Sequence, residues 1–580
     1  MKLLDISVKN FRSISGDSVN LSFEGSDIIF ILGQNNSGKS SLLSAYAYLV
    51  TPKQKALLSD FLGYNTKNEI EIVATFIKDD GDDAIFKKQG FEKWVATDGK
   101  IKFRKTWSNT DDEGQKETLD PLSGSFVING FGGIEQHFTK QAPTPILIPA
   151  VPTLDDLSKF IKETVQKSVL KTLKNEESEA YNKVIYEIEK LQDRILSKDA
   201  ILQKSVQANL NFQKVFPDLT LDISPIEGKE FNLSSSLEKE FSVIIKDNRF
   251  PEAKQDFTNH GNGVIRQTLF NFLGVVKSEL PSVEEGGDNR KDYIILFEEP
   301  EVYLHPKAIK LLRNVLYDLC TNSRFQIVCS SHSPALIDLS KPHTSIARMI
   351  RGKDGNTYTY QAGENLFAAT NELKDMVQMI NRFDTNVCES FFSDEVILVE
   401  GDTEAIVCRE LLDKYFPTKD IYVVNTGSKN NIPFFQKIFN HFNIKQHIIH
   451  DSDTRYLYDI SVDEDEKLVY LLRKKKDGNP KKNSAWSINE NIWSEVLNGN
   501  LISKGLSERY VSIYNFEVSN DYHMNSDMGK PLSAYNFAKD LTLDDTPNII
   551  HFIKQIVGAE KKFVEFTQDE LEDVVKEPNN

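Results

Sequence analysis

Cysteine is scarce in this chain: Cys320, Cys329, Cys388 and Cys408 are the four among 580 residues, and no two form a C-x-x-C pair. That scatter excludes a zinc ribbon or a disulfide framework and points to a reducing, cytosolic setting. Long apolar runs are lacking too. None reaches the roughly 18 residues that span a bilayer, and the opening MKLLDISVKNFRS has no signal-peptide core. The expectation is a cytoplasmic chain with no membrane partner. Positive charge is in deficit, with 69 Lys and Arg against 86 Asp and Glu and a formal net charge of −17. Such a deficit argues against a wholly basic nucleic-acid binder, yet it leaves room for a local basic patch and a site that gathers carboxylates. Internal repeats are absent, which excludes solenoids. What remains is a composition, 39% hydrophobic and 27% charged, of ordinary globular type. Its length predicts about three or four domains.

LLDISVKNF and DIIFILG read as strands, KSSLLSAYAYLV as the helix that follows, and NEIEIVATFI (69–78) as a strand of period two. TPILIPAVP (144–152) is a short strand fenced by prolines. From Leu154 to Phe250 the chain is charged and reads as helical, with Val184, Ile188, Leu191 and Ile195 on one helix face. A hairpin covering the core and a dimerisation arm fit that stripe equally well. Strands return at YIILF (293–297), FQIVCSS (325–331), VILV (396–399), IYVVN (421–425), HIIH (447–450) and YVSIYNF (510–516). Strands alternating with helices predict parallel sheets in an α/β fold. The acidic TQDELEDVVKEPNN reads as a solvated end.

GQNNSGKS, Gly33 to Ser40, fits G-x-x-x-x-G-K-S with a strand before it and a helix after it. Backbone N–H groups of such a loop wrap a phosphate, here from Gly33, Asn35, Asn36, Ser37, Gly38 and Ser41. Lys39 reaches the outer phosphates of ATP and Ser40 ligates Mg²⁺. A second apolar strand ends in Glu298-Glu299-Pro300-Glu301. Glu298 is assigned to Mg²⁺ and Glu299 to the attacking water. IVCSSHSP ends a third strand at His332, placed to sense a γ-phosphate.

These residues resemble an ABC-type ATPase head of the SMC and RecF families. VKNFRSI, with Arg12 near the phosphates, fits that resemblance, and NHGNGVIRQTLFNFL (259–273) stands in the place of the signature segment. The resemblance implies a homodimer or higher oligomer, in which Gly261 and Gly263 of one copy cap the nucleotide of the other. Glu where many such ATPases have Asp, and a signature that is not L-S-G-G-Q, predict slow hydrolysis.

The later half carries a second acidic centre. VILVEGDTEAIV runs from an apolar strand into Glu400, Asp402 and Glu404, and HIIHDSDTR ends another strand in Asp451 and Asp453. Alternation along a strand would point both Asp residues of D-x-D the same way. Hard oxygen ligands of this kind suit Mg²⁺ or Mn²⁺. YVSIYNFEVSN reads as a strand running to Glu517, a further ligand, and MNSDMGKPLSAY supplies Lys530 as a cation for a phosphodiester transition state. LLRKKKDGNPKKN places Arg473, Lys474, Lys475, Lys476, Lys481 and Lys482 around a turn, a candidate contact to a nucleic-acid backbone.

Taken in order, P-loop, EEPE-x-x-LHP, SSHSP, VEGDTE, DSD, a late Glu and a late Lys are similar to the OLD (overcoming lysogenization defect) nuclease family. That family joins an ABC-type ATPase to a Toprim domain, and members include the Gabija nuclease subunit and retron-associated effectors of antiphage defence. The resemblance implies ATPase parts at 1–153 and 256–388, a helical dimerisation insertion at 154–255 and a Toprim nuclease domain at 389–580. It further implies DNA as substrate, metals at Glu400, Glu404, Asp451, Asp453 and Glu517, and Lys530 as catalytic cation. Glu404 is preferred to Asp402 on the family pattern. A helicase, or a reverse transcriptase with its nucleic acid, is the implied partner. An ATP-gated DNA-binding clamp without nuclease activity and a primase or topoisomerase are the competing expectations.

Overall fold

The fully apolar runs of the sequence become inner strands of parallel sheets, where both faces are covered. The computed structural model describes residues 1–78, 86–87, 90–128, 130, 141–150, 209–210, 212–213, 218–225, 241–247, 263–264, 268, 292–321, 324–338, 341, 345–361, 385–462, 468–560 and 566–576. The chain divides into two compact units, Met1–Thr359 and Tyr360–Asn580.

In the first unit a sheet of six strands has the order β14-β13-β3-β12-β11-β8. Its members are β3 (Ile28–Leu32), β8 (Thr144–Ile148), β11 (Tyr293–Glu298), β12 (Phe325–Ser331), β13 (Ile346–Arg351) and β14 (Thr357–Gln361). β8, β11, β12, β3 and β13 pair in parallel. Every residue of β3 and β12 is buried. Helix α1 (Lys39–Val50) follows β3, and α2 (Pro306–Cys320) lies between β11 and β12 in the chain.

A second sheet, antiparallel, stands in addition to the parallel sheets that the sequence implies. β1 (Lys2–Lys9), β2 (Val19–Ser22), β4 (Ile70–Ile77), β5 (Lys100–Trp107), β6 (Gln115–Leu119) and β7 (Phe126–Ile128) pair antiparallel, in the order β2-β1-β4-β5-β6-β7. Its inner face supplies Ile6, Val8, Ile72, Phe76 and Phe103 to a core shared with α1.

Within the stretch read as helical, β9 (Leu219–Pro225) and β10 (Phe241–Asp247) instead form an antiparallel ribbon. The stripe Val184–Ile195 and Gly261 lie outside the described residues.

The second unit is built on a parallel sheet of order β16-β15-β17-β20. These strands are β15 (Glu395–Val399), β16 (Ile421–Asn425), β17 (Lys445–Asp451) and β20 (Ser507–Ser512). Around them lie α3 (Asp402–Tyr415), α4 (Ile432–His441), α5 (Ser484–Ile502), α6 (Phe516–Asn520), α7 (Lys530–Asp540), α8 (Asn548–Ile556) and α9 (Gln568–Val574). One core joins Val399, Val407, Leu411, Ile449, Ala534 and Ile553. A hairpin, β18 (Tyr458–Val462) with β19 (Leu468–Leu472), carries the basic run just after it.

Two readings of this unit are corrected. The strand expected to run to Glu517 ends at Ser512, and Glu517 lies in the first turn of α6, capped by Asn515. The acidic end is not merely solvated: Thr567 and Glu570 form a capping box for α9, and Leu571 and Val575 are buried against Trp486 and Val511. Five of its 14 residues are acidic, but Leu571 at 0% exposure anchors it to the core.

Candidate functional site

Strand ends place both candidate centres. At the carboxyl edge of the first unit's parallel sheet, β3 opens into the glycine-rich loop. Gly33 sits so close to the Met349 carbonyl that a Cβ would lie 2.0 Å from it, which requires glycine. The loop turns through Asn36 and Gly38, both with positive φ, into the first residue of α1. Asn35, Asn36 and Ser40 are exposed, Ser41 shares a hydrogen bond with Ser13, and the buried Ser37 hydroxyl has no partner among the described residues. That orphaned hydroxyl in a ring of loop amides fits a phosphate ligand.

Lys39 is buried, and its ammonium donates to the carbonyls of Gly33 (2.8 Å) and Gln34 (2.7 Å). Burial lowers it to about 8, against the opposing pull of Glu299 and Glu301. Glu298 closes β11 opposite Ser330, and Glu299 follows with φ 42. The His332 ring lies 3.6 Å from the Glu299 carboxylate. Burial and then Lys39 depress the His332 imidazole, and Glu299 offsets part of that. Lys39, Glu299 and His332 therefore share one electrostatic neighbourhood. Glu301 received no role from the sequence, yet it accepts from the Ser331 hydroxyl (2.8 Å) and the His332 N–H (2.7 Å). It fixes the turn carrying His332, and its only sequence signal was being the third acid of EEPE.

The Arg12 guanidinium donates to Asp60 (2.9 Å) and Ser44 (3.1 Å) and lies over the Phe11 and Tyr48 rings. Gly263 has a packing reason of its own, since a Cβ there would come 2.6 Å from the Tyr303 carbonyl.

The second centre forms at the carboxyl edge of β15, β16, β17 and β20. Glu400 leaves β15 and accepts from the Asp451 N–H at 2.7 Å. Glu404 lies in the first turn of α3, turned inward, whereas Asp402 is exposed and accepts from Asn425 at 2.7 Å. Asp451 is the last residue of β17. Asp453 lies beyond the strand with φ 57, so strand alternation does not orient it. Instead the Asp453 N–H donates to the Tyr514 carbonyl (2.9 Å), and Ser452 is tied to Ser512 (2.8 Å).

Charge joins the cluster. Burial raises Asp451, and the charges of Glu400, Glu404 and Asp453 raise it further; Lys429 opposes them. Glu400 is raised by burial and by Asp453 and Glu404. Glu404 is raised by burial and by Glu517, with the exposed Lys530 opposing. All five predicted carboxylates and Lys530 thus belong to one electrostatic neighbourhood. Among the described residues no three His, Cys, Asp or Glu side chains stand in position to hold one ion. The donor set nevertheless fits a hard divalent cation, because buried, mutually repelling oxygens are what such a cation satisfies. Buried hydroxyls of Thr403 and Ser512 have no partner among the described residues.

Sequence reasoning missed Lys429, a buried ammonium that bonds the Asp451 carbonyl and the Asp453 carboxylate, each at 2.5 Å. Of the basic run, Arg473 is paired with Asp459 at 2.6 Å, while Lys474, Lys475, Lys476, Lys481 and Lys482 are exposed around a turn closed by Lys475 and Asn479.

Against known families, residues 1–129 and 134–337 match the AAA ATPase domain, and residues 391–453 match the Overcoming lysogenization defect protein-like TOPRIM domain. The second match includes Glu400, Glu404, Lys429, Asp451 and Asp453. The Old nuclease of Escherichia phage P2 is 26% identical over 486 residues, 78% of this chain and 77% of that one. Endonuclease GajA of Bacillus cereus (strain VD045) is 22% identical over 456 residues, 74% of this chain and 70% of that one. The OLD nuclease of Thermus scotoductus is 27% identical over 163 residues, 27% of this chain and 30% of that one.

Proposed function

This chain belongs to the AAA ATPase domain family and carries an OLD-like Toprim domain, and from that premise we propose that it is an ATP-regulated, divalent-metal-dependent DNA endonuclease. What supports the reading is that Glu400 and Asp451, at neighbouring strand ends, are tied by a hydrogen bond, and that the charges of Glu404, Asp453, Glu517 and Lys530 act on them or on one another. The names of the nuclease relatives support the same class.

Two divalent ions held by those carboxylates would supply water activation and leaving-oxygen stabilisation. The chain's own residues do the rest. Glu400 is held by the Asp451 N–H, which sets one carboxylate against the next strand end. Lys530, at the start of α7, places a solvent-facing ammonium for charge on the scissile phosphate. Lys474, Lys475, Lys476, Lys481 and Lys482 provide a sequence-independent grip on the DNA backbone. In the ATPase unit the loop 33–41 and Lys39 hold the nucleotide, Glu298 its Mg²⁺, Glu299 orients water and His332 reads the γ-phosphate. Nucleotide occupancy acts as the switch, with slow hydrolysis resetting it, in a homodimer serving antiphage defence.

The test is plasmid cleavage by the purified chain with Mg²⁺ or Mn²⁺. Asp451→Ala and Asp453→Ala should abolish cutting and leave ATP binding intact, since no other oxygen replaces theirs. Lys530→Ala should lose cutting but keep metal affinity. Wild-type cleavage rates in Asp451→Ala would overturn the reading.

A further inference from the structure

Lys429 reaches the carboxylate site from the end of β16, a strand otherwise without an acidic contribution. The path is pinned. Thr426 bonds the Val399 carbonyl through both its N–H (3.0 Å) and its hydroxyl (2.8 Å), Gly427 turns with φ 69, and Asn431 donates to the Thr426 carbonyl at 2.7 Å. Ser428 caps the short helical turn that follows. The lysine stem is consequently aimed, and its ammonium, on a residue only 5% exposed, ends between the Asp451 carbonyl and Asp453 Oδ2. A buried ammonium is costly unless a negative group satisfies it, and Asp453 is the carboxylate that does so here.

We propose that Lys429 is a tethered cation of this site: its ammonium neutralises Asp453 while no ion is bound and competes with a divalent ion for that ligand. The proposal rests on the metal reading above. A divalent ion on Asp453 would bring two positive charges next to a fixed third one in a poorly solvated place, and such repulsion weakens ion binding. Lys429 thereby keeps the D-x-D turn in shape without metal and sets a threshold for loading. It is a positioning residue, acting through Asp453. Competition has a sign that simple scaffolding lacks. Removing a scaffold loosens an ion, whereas removing a competitor tightens it.

The experiment titrates Mn²⁺ alone into the full chain, without DNA or ATP, and follows binding by calorimetry and the signal of free Mn²⁺. Lys429→Met should bind Mn²⁺ about tenfold more tightly than wild type, and Lys429→Arg should stay near wild type. In an Asp453→Asn background the gain from Lys429→Met should vanish, because the contested ligand is gone. If Lys429→Met does not fold by circular dichroism, Lys429→Gln, which keeps a donor for the Asp451 carbonyl, carries the same expectation. No Mn²⁺ binding by wild type would overturn the metal reading and this role with it. Binding by wild type that is unchanged or weaker in the neutral variants would overturn the role of Lys429 alone.

Discussion

At the residue scale, the buried carboxylates make the metal-free fold less stable than its core alone would. Burial first, then neighbouring carboxylates, push Glu400 up to about 7 and Asp451 up to about 9, and Lys429 relieves only part of this. The folded chain therefore holds protons that the unfolded chain has already released. Stability from these groups is full below the ordinary carboxylate range and is lost as pH rises through 7 and towards 9. With a chelator present, thermal scans should give a Tm that falls between pH 6 and about 8.5, and Asp451→Asn should flatten that fall. Added Mn²⁺ should raise Tm more at the higher pH, where it displaces fewer protons. A Mn²⁺ effect equal at both pH values would contradict the assignment. The same cluster marks what a sequence can carry. Glu400 and Asp451 were legible because each closes an apolar strand. Asp453 was legible as a residue but not in orientation, since a left-handed turn replaces the strand geometry. Lys429 was not legible: TGSKNN contains one lysine with no periodicity, and its partners come 22 and 24 residues later.

At the scale of elements, buried parallel strands were the most readable, because being covered on both faces forces a continuous apolar run. β5 was missed, since KIKFRKTW sets Lys100, Lys102 and Arg104 on its outer face, buries Lys105 on the inner one, and reads as a charged stretch. Folding also brings together what spacing cannot. At the amino end of the second unit's sheet, opposite its acidic edge, the buried His447 lies 2.8 Å from Glu395 and 3.2 Å from Glu508, and Lys445 lies 3.0 Å from Glu395. Burial opposes the charge on Glu395, but hydrogen bonds from His447 and Lys445 outweigh it and hold that carboxyl at about 2. A depressed carboxyl stabilises the fold above its unfolded value, near 4.5, and loses that contribution as pH falls towards 2. Glu395→Gln should thus cost about 2 kcal/mol near pH 7 and clearly less by pH 3, where the unfolded carboxyl is already largely protonated. Urea unfolding at pH 7 and at pH 3 measures the difference, and an equal cost at both would assign Glu395 to packing. This clamp ties β15, β17 and β20 together, so it also supports the register that brings Glu400 beside Asp451.

At the scale of the whole molecule, Lys39 and Asp451 belong to different compact units, so nucleotide control of cleavage requires a coupling free energy between two sites. Lys39 at present spends its hydrogen bonds on the Gly33 and Gln34 carbonyls, and a nucleotide phosphate would have to exchange for them. Lys39→Ala should therefore remove the nucleotide response without touching the acidic cluster. Glu299→Gln should keep ATP bound and block its hydrolysis, fixing the switch in one position, because water positioning is lost while the phosphate contacts remain. Linkage then makes a quantitative demand. If bound nucleotide changes DNA affinity by some factor, DNA must change nucleotide affinity by the same factor. Typical couplings correspond to about 5- to 150-fold. The measurement uses Glu299→Gln in Ca²⁺, which occupies oxygen ligands while slowing cleavage, and titrates DNA with and without ATP and ATP with and without DNA. Equal, non-unit factors that disappear in Lys39→Ala support control through binding. Factors of one in both directions would leave ATP no route to DNA binding, and the regulated reading would have to move to the catalytic step or be given up.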